Sequence, residues 1–139
     1  MKPPKAAAGR RLHHAAIVVR DLQQALAFFQ EGFGLALAAA ATLEDQGVRA
    51  VLLQLENAAI ELIEPIRPES GVARFLERRG EGLHHLCFTS SGLAAEMKAL
   101  EAAGVEIFDR EPRLGLAGRV CFLHPRALNG VLVELVEVE

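Results

Sequence analysis

The octapeptide LHHAAIVV beginning at Leu12 returns as LHHLCFTS beginning at Leu83, an offset of 71 residues in a chain of 139. Both copies read as strands, in which neighbouring side chains face opposite sides. After each copy the period lengthens. Leu22, Ala25, Leu26 and Phe29 share a helical face, Asp21 stands where an N-cap is needed, and Gly32 and Gly34 close the segment. In the second half Leu93, Met97 and Leu100 define the helix and Gly104 ends it. Strand-like runs follow in both halves, at residues 35–42, 48–55 and 58–63, then at 105–109, 120–123 and 130–138. Between the halves, residues 65–82 are rich in Pro, Gly and charge, with Val72, Phe75 and Leu76 marking a short helix.

This repeat predicts a single α+β domain over residues 12–139, made of one repeat at about 12–64, a linker at about 65–82 and a second repeat at about 83–138. Residues 1–11, MKPPKAAAGRR, are expected to form a flexible basic tail. With the helices on one side of a curved sheet, the other side is a groove of the kind that holds small ligands. Hydrophobic residues make up 51% of the chain, enough for one core without disulfide staples. The net charge of −3 argues against a nucleic-acid partner. No run approaches the roughly 20 apolar residues that span a bilayer, and no membrane partner is expected. Cys87 and Cys121 lie inside apolar runs, which reads as buried thiols in a reducing compartment and a cytoplasmic location.

Strand alternation sorts the histidines. His85 shares a face with Cys87 and Thr89, small or polar residues suited to a cavity, whereas His84 lies with Leu86 and Phe88. By the repeat, His14 faces the groove with Ala16 and Val18, and His13 lies with Ile17 and Val19. The last strand of each half carries a carboxylate within an apolar run, Glu61 and Glu134, at 47 residues after His14 and 49 after His85. A mid-strand carboxylate faces water, or is paired, protonated or metal-bound. Two neutral imidazoles and two carboxylates would suit a divalent transition ion. On spacing alone, core histidines and solvent-facing glutamates account for the pattern equally well.

The segments LHHAAIVVRDLQQALAFF, IELIEP, GEGLHHLCF and FLHPRALNGVLVELVE resemble the vicinal oxygen chelate (glyoxalase/bleomycin-resistance) superfamily and, within it, the methylmalonyl-CoA epimerase family. The likeness runs from about Leu12 to Glu137. It implies two βαβββ modules forming a curved eight-strand sheet cup, with helices on the convex side and metal ligands at His14, Glu61, His85 and Glu134. The implied activity interconverts (R)- and (S)-methylmalonyl-CoA by α-proton abstraction, with a metal ion stabilising the enolate. Implied too are a divalent ion, cobalt above manganese, nickel or zinc, an acyl-CoA substrate and a homodimer. Some family members carry glutamine where this chain has Glu61, and at least one carries a glutamate, proposed as a base, where this chain has Ala50. The segment at Gly115 to Phe122 is one residue shorter than the usual glycine-rich loop, and Asn129-Gly130 stands in place of Gly-Gly.

Proton removal and return on opposite faces needs a group on each side of the carbon. With Ala50 unable to serve, pseudo-symmetry nominates Glu61 and Glu134 as catalytic residues, each alternately ligand and base; the alternative is that both only hold metal. A glyoxalase I-like lactoylglutathione lyase, or another isomerase or lyase of the superfamily, uses the same four ligands, and a non-catalytic small-molecule binder is a further alternative. His124 reads as a turn residue, and Arg110, Arg113, Arg119 and Arg126 read as solvated surface or as partners of coenzyme A phosphates.

Overall fold

The computed structural model describes residues 9–138. Contacts divide the chain into two compact units, one being His14–His85 and the other the described residues of Met1–His13 with Leu86–Glu139.

The His14–His85 unit holds most of the first βαβββ module. Strand β1 (Leu12–Val18) leads into helix α1 (Leu22–Ala27), whose expected cap is present: Asp21 Oδ1 accepts the Gln24 N–H at 3.1 Å. The helix runs on as a π-helical turn over Phe28–Gly32. Strands β2 (Ala36–Leu43), β3 (Val48–Gln54) and β4 (Ala59–Pro65) follow, ordered β2-β3-β4-β1. The two hairpin pairings are antiparallel, and β4 returns parallel to β1. Alternation assigns the faces cleanly. Val19, Val51, Leu53 and Leu62 pack with Leu22, Ala25, Leu26 and Phe29, so α1 covers one side of this sheet. The linker forms helix α2 (Gly71–Arg79), capped by Ser70 Oγ, which accepts the Ala73 N–H at 3.1 Å.

The second module repeats the plan. Strand β5 (Gly82–Thr89) is followed by α3 (Leu93–Ala102), β6 (Arg113–Leu114), β7 (Arg119–Leu123) and β8 (Val133–Glu137), in the order β5-β8-β7-β6 with β8 parallel to β5. Leu93 and Met97 of α3 pack on Cys121, Leu123, Val133 and Leu135. The opposite face collects Cys87, Val120 and Val136. The α+β class expected from the repeat and the paired βαβββ modules implied by the resemblance are both present.

Two boundaries differ from expectation. Residues 105–109 do not form a strand; Ile107 makes a single bridge to Leu123, and Asp109 Oδ2 accepts the Phe122 N–H at 2.8 Å. Two backbone bonds flank that bridge, from the Phe108 N–H to the Phe122 carbonyl and from the His124 N–H to the Glu106 carbonyl, both at 2.9 Å. The Phe122 N–H goes to a side chain and the pairing stops there; the edge strand is the two-residue β6. Strand β8 starts at Val133 rather than residue 130. Ahead of it, Pro125–Leu128 form a 3₁₀ turn closed by Asn129 at φ 61°.

Within the expected basic tail, residues 1–8 lie outside the described residues. Arg10 pairs with Glu96 and donates from Nη1 to the Thr89 carbonyl at 2.7 Å, while the Arg11 N–H donates to Thr89 Oγ1 at 2.9 Å. The bonded structure therefore includes residues ahead of Leu12.

One device occurs in both modules and was not read from the sequence. Glu64, at the end of β4, accepts the Leu22 N–H at the start of α1 at 2.9 Å and pairs with Arg49 of β3 at 3.0 Å. Glu137, at the end of β8, accepts the Leu93 N–H of α3 at 2.8 Å and pairs with Arg119 of β7 at 2.9 Å. Each carboxylate satisfies a helix N–H that has no intrahelical partner and sits at the positive end of the helix dipole.

Candidate metal and active site

The parallel pairing of β1 with β4 sets Ala16 opposite Glu61, which brings Glu61 beside the face that carries His14 two residues earlier. On its other side Glu61 is in register with Leu52 of β3. His14, Glu61 and His85 are 3%, 7% and 4% exposed, which rules out the solvent-facing reading of Glu61. The three side chains converge. His14 Nε2 and His85 Nε2 lie 3.4 Å apart, and Glu61 Oε1 lies 3.6 Å from the first and 3.5 Å from the second.

These separations exceed the roughly 2.7–3.2 Å of an ordinary N–H···O bond. They have the size of a coordination edge instead. Three atoms 3.4–3.6 Å apart share a centre about 2.0 Å from each, the distance at which imidazole nitrogen and carboxylate oxygen hold a zinc-sized ion. The donor set, two nitrogens and one oxygen, is the borderline kind that first-row divalent ions take. A cation between the three donors would offset the cost of burying the Glu61 carboxylate. The residues present therefore fit a divalent ion.

Glu134 belongs to the other unit. It is 6% exposed on β8, in register with Cys87 of β5 and Phe122 of β7. Burial excludes the solvent-facing reading here too. Its place matches that of Glu61, since Cys87 stands two residues after His85 as Ala16 stands two after His14.

His84, expected on the face of Leu86 and Phe88, has its ring against Phe75 of α2, with centroids 4.9 Å apart at 74°. What strand alternation could not reveal is that His84 Nδ1 and His85 Nδ1 are 2.7 Å apart. Phe75 gave a sequence signal only as part of the short linker helix. His124 ends β7 and caps the 3₁₀ turn, accepting the Arg126 N–H on Nδ1 at 3.0 Å. Among the candidate arginines, Arg113 Nε is 2.7 Å from Asp109 Oδ1, Arg119 pairs with Glu137, and Arg110 and Arg126 are exposed. Gly115 and Gly118 close the β6–β7 hairpin through a 2.8 Å backbone bond from Gly115 N–H to the Gly118 carbonyl. Both cysteines are buried and unlinked, and burial, helped by Asp109, Glu134 and Glu96, pushes the Cys121 thiol up to about 12.

Residues 13–122 match the model of the Glyoxalase/Bleomycin resistance protein/Dioxygenase superfamily. The chain belongs to that superfamily. It is 41% identical over 128 residues to the uncharacterized protein YqjC of Bacillus subtilis (strain 168), covering 91% of each chain. It is 38% identical over 131 residues to the ethylmalonyl-CoA/methylmalonyl-CoA epimerase of Cereibacter sphaeroides, covering 92% of this chain and 98% of that one. A solved methylmalonyl-CoA epimerase in complex with methylmalonyl-CoA and NH4+ superposes with a TM-score of 0.89 at 33% identity, covering 92% of this chain and 94% of that one. The matched residues 13–122 include His14, Glu61 and His85, and the relatives' likeness covers about nine tenths of the chain. Among the described residues no helix is long and apolar enough to cross a membrane.

Proposed function

We propose that the chain is a metal-dependent epimerase that interconverts (R)- and (S)-methylmalonyl-CoA. The observation that carries this reading is the triangle of His14 Nε2, His85 Nε2 and Glu61 Oε1, whose 3.4–3.6 Å edges fit a divalent ion. Glu134, buried at the equivalent position of the second module, is the fourth ligand. An ion held by His14, Glu61, His85 and Glu134 supplies Lewis acidity to the oxygens of the substrate's carboxylate and thioester, an effect worth on the order of several kcal/mol. Cobalt is the favoured ion, and manganese, nickel and zinc suit the same donors.

The remaining chemistry belongs to the protein. Glu61 and Glu134 are the two carboxylates available to take the α-proton and return it from the opposite face, and their matched registers supply one from each module. Ala50, completely buried on β3, offers no proton-transfer group. Apolar register neighbours such as Ala16 and Leu52 limit the water around Glu61, which favours exchange with substrate over exchange with solvent.

The protein acts as a homodimer in the cytoplasm. Support for the dimer comes from β2, a largely exposed strand rich in alanine and leucine at the edge of its sheet, and from Phe28 and Phe33, which are 55% and 64% exposed. Two unlinked, buried thiols suit a reducing compartment.

The deciding experiment is metal analysis of the purified protein, followed by proton–deuterium exchange at the α-carbon of methylmalonyl-CoA with and without a chelator. Exchange that needs metal supports the reading; exchange that survives complete metal removal overturns it. Sedimentation showing a single 15.0 kDa species with full activity would remove the dimer.

A further inference from the structure

We infer that His84 is a positioning residue that holds His85 in the tautomer carrying its proton on Nδ1. This rests on the metal reading above and extends it from the ligands to the group behind one of them. His84 Nδ1 and His85 Nδ1 are 2.7 Å apart, a hydrogen-bond distance that requires one nitrogen to carry the proton and the other to offer its lone pair. At the far side of the same ring, His85 Nε2 faces Glu61 Oε1 at 3.5 Å and His14 Nε2 at 3.4 Å. A neutral imidazole has one donor nitrogen and one acceptor nitrogen. If His85 Nδ1–H donates to His84 Nδ1, the lone pair is left on Nε2, the atom aimed at the other two donors.

The opposite assignment would put a proton on His85 Nε2, in the space a cation must enter. Ligating histidines are commonly fixed in this way, by a partner that receives the other ring N–H. Here the partner is held in turn. The His84 ring lies edge to face on Phe75, and the Arg79 guanidinium sits over that phenyl ring at 5.4 Å from its centroid. The linker helix α2 therefore has a function beyond joining the modules: it sets the ring that sets His85. All of these groups lie within the His14–His85 unit.

The test is a long-range proton–nitrogen correlation spectrum of metal-free protein labelled with ¹⁵N-histidine. It is recorded about two pH units above the ordinary imidazole value of ~6.5, where imidazoles are neutral. Zn²⁺ titration by calorimetry accompanies it. The wild type is expected to carry the His85 proton on Nδ1. His84→Phe keeps an aromatic ring against Phe75 and removes the acceptor; it should shift His85 toward the Nε2–H form and weaken Zn²⁺ binding about 10–100-fold, with stoichiometry unchanged. His84→Asn places an amide oxygen near the lost Nδ1 and should restore both. The inference is overturned by a wild-type proton on His85 Nε2, by His84→Phe leaving tautomer and affinity unchanged, or by both variants losing affinity equally. A wild type that shows the Nδ1–H form but takes up no Zn²⁺ supports the tautomer assignment and sinks the metal reading, so the two failures are separable.

Discussion

In the first module Glu64 accepts the Leu22 N–H and pairs with Arg49; in the second Glu137 accepts the Leu93 N–H and pairs with Arg119. The surroundings of this shared device differ. Helix α1 has a second cap in Asp21, whereas α3 begins at Gly92, which offers no side chain. The first module pairs β2 with β3 along seven register positions, and the second pairs β6 with β7 along two, with the Asp109 carboxylate accepting the Phe122 N–H beside a single bridge from Ile107 to Leu123. One topology therefore tolerates a long or a short edge provided that the parallel central pair, β1 with β4 or β5 with β8, is kept. That pair is what carries the histidine and the glutamate, so the edges were free to diverge.

The equivalence of the modules is most severely tested at the glutamates. Glu61→Gln and Glu134→Gln should each lower epimerisation by about 10²–10⁴-fold while Zn²⁺ or Co²⁺ remains bound, measured by deuterium exchange and metal analysis. Full activity in one of them would remove that residue as a required base and break the symmetry of roles. Next in size is the contrast between neighbours. His14→Ala should weaken metal binding by at least ~10²-fold in calorimetry, whereas His13→Ala should leave it within about threefold. The reverse pattern would mean that the faces of β1 are inverted.

Stability sharpens the comparison further. A Cβ on Gly118 would run into the backbone carbonyl of Glu137, so Gly118→Ala should cost about 1–3 kcal/mol in denaturant unfolding. At the caps, Glu137→Gln should lower the melting temperature by roughly 2–6 °C, and Glu64→Gln by less, because Asp21 still caps α1. The Arg119 hydrogen bond, and then the Leu93 N–H, hold the Glu137 carboxyl below the usual carboxylate range. A depressed folded value means that the contribution is complete above the ordinary value near ~4.3 and is lost as pH falls through the lower one. The melting-temperature gap between wild type and Glu137→Gln should accordingly close in acid. Arg10 acts on Glu96 in the same direction, so Arg10→Ala should also flatten the acid limb of stability. The smallest effect is a gain. Gly92 is extended at φ −162°, and open space surrounds an added Cβ, so Gly92→Asp should stabilise by a few tenths of a kcal/mol.

Much of this was legible before any coordinates. The double LHH segment gave the two modules, and residue alternation set His14 and His85 on one strand face and His13 and His84 on the other. Asp21 was readable as a cap because an N-cap lies within three residues of the N–H it serves. The run at 105–109 misled because apolar content does not report how far a backbone pairing extends: the Phe108 N–H reaches the Phe122 carbonyl and the His124 N–H the Glu106 carbonyl, but the Phe122 N–H goes to the Asp109 carboxylate. Glu64 and Glu137 escaped notice for a related reason: each bonds to a helix start 42 or 44 positions away, and no local period links them.

By itself the sequence determined the modular plan, the faces of the strands and the choice of two imidazoles and two carboxylates as the unusual residues of those faces. These follow from the two-residue and 3.6-residue periods, which any short window displays. Tertiary structure alone decided that His14, Glu61 and His85 meet with edges of 3.4–3.6 Å, and that His84 touches His85 through Nδ1 while resting on Phe75. Distances of that kind depend on strand register and on the packing of a linker helix. Both are set by contacts between residues far apart in the chain, to which local periodicity is blind.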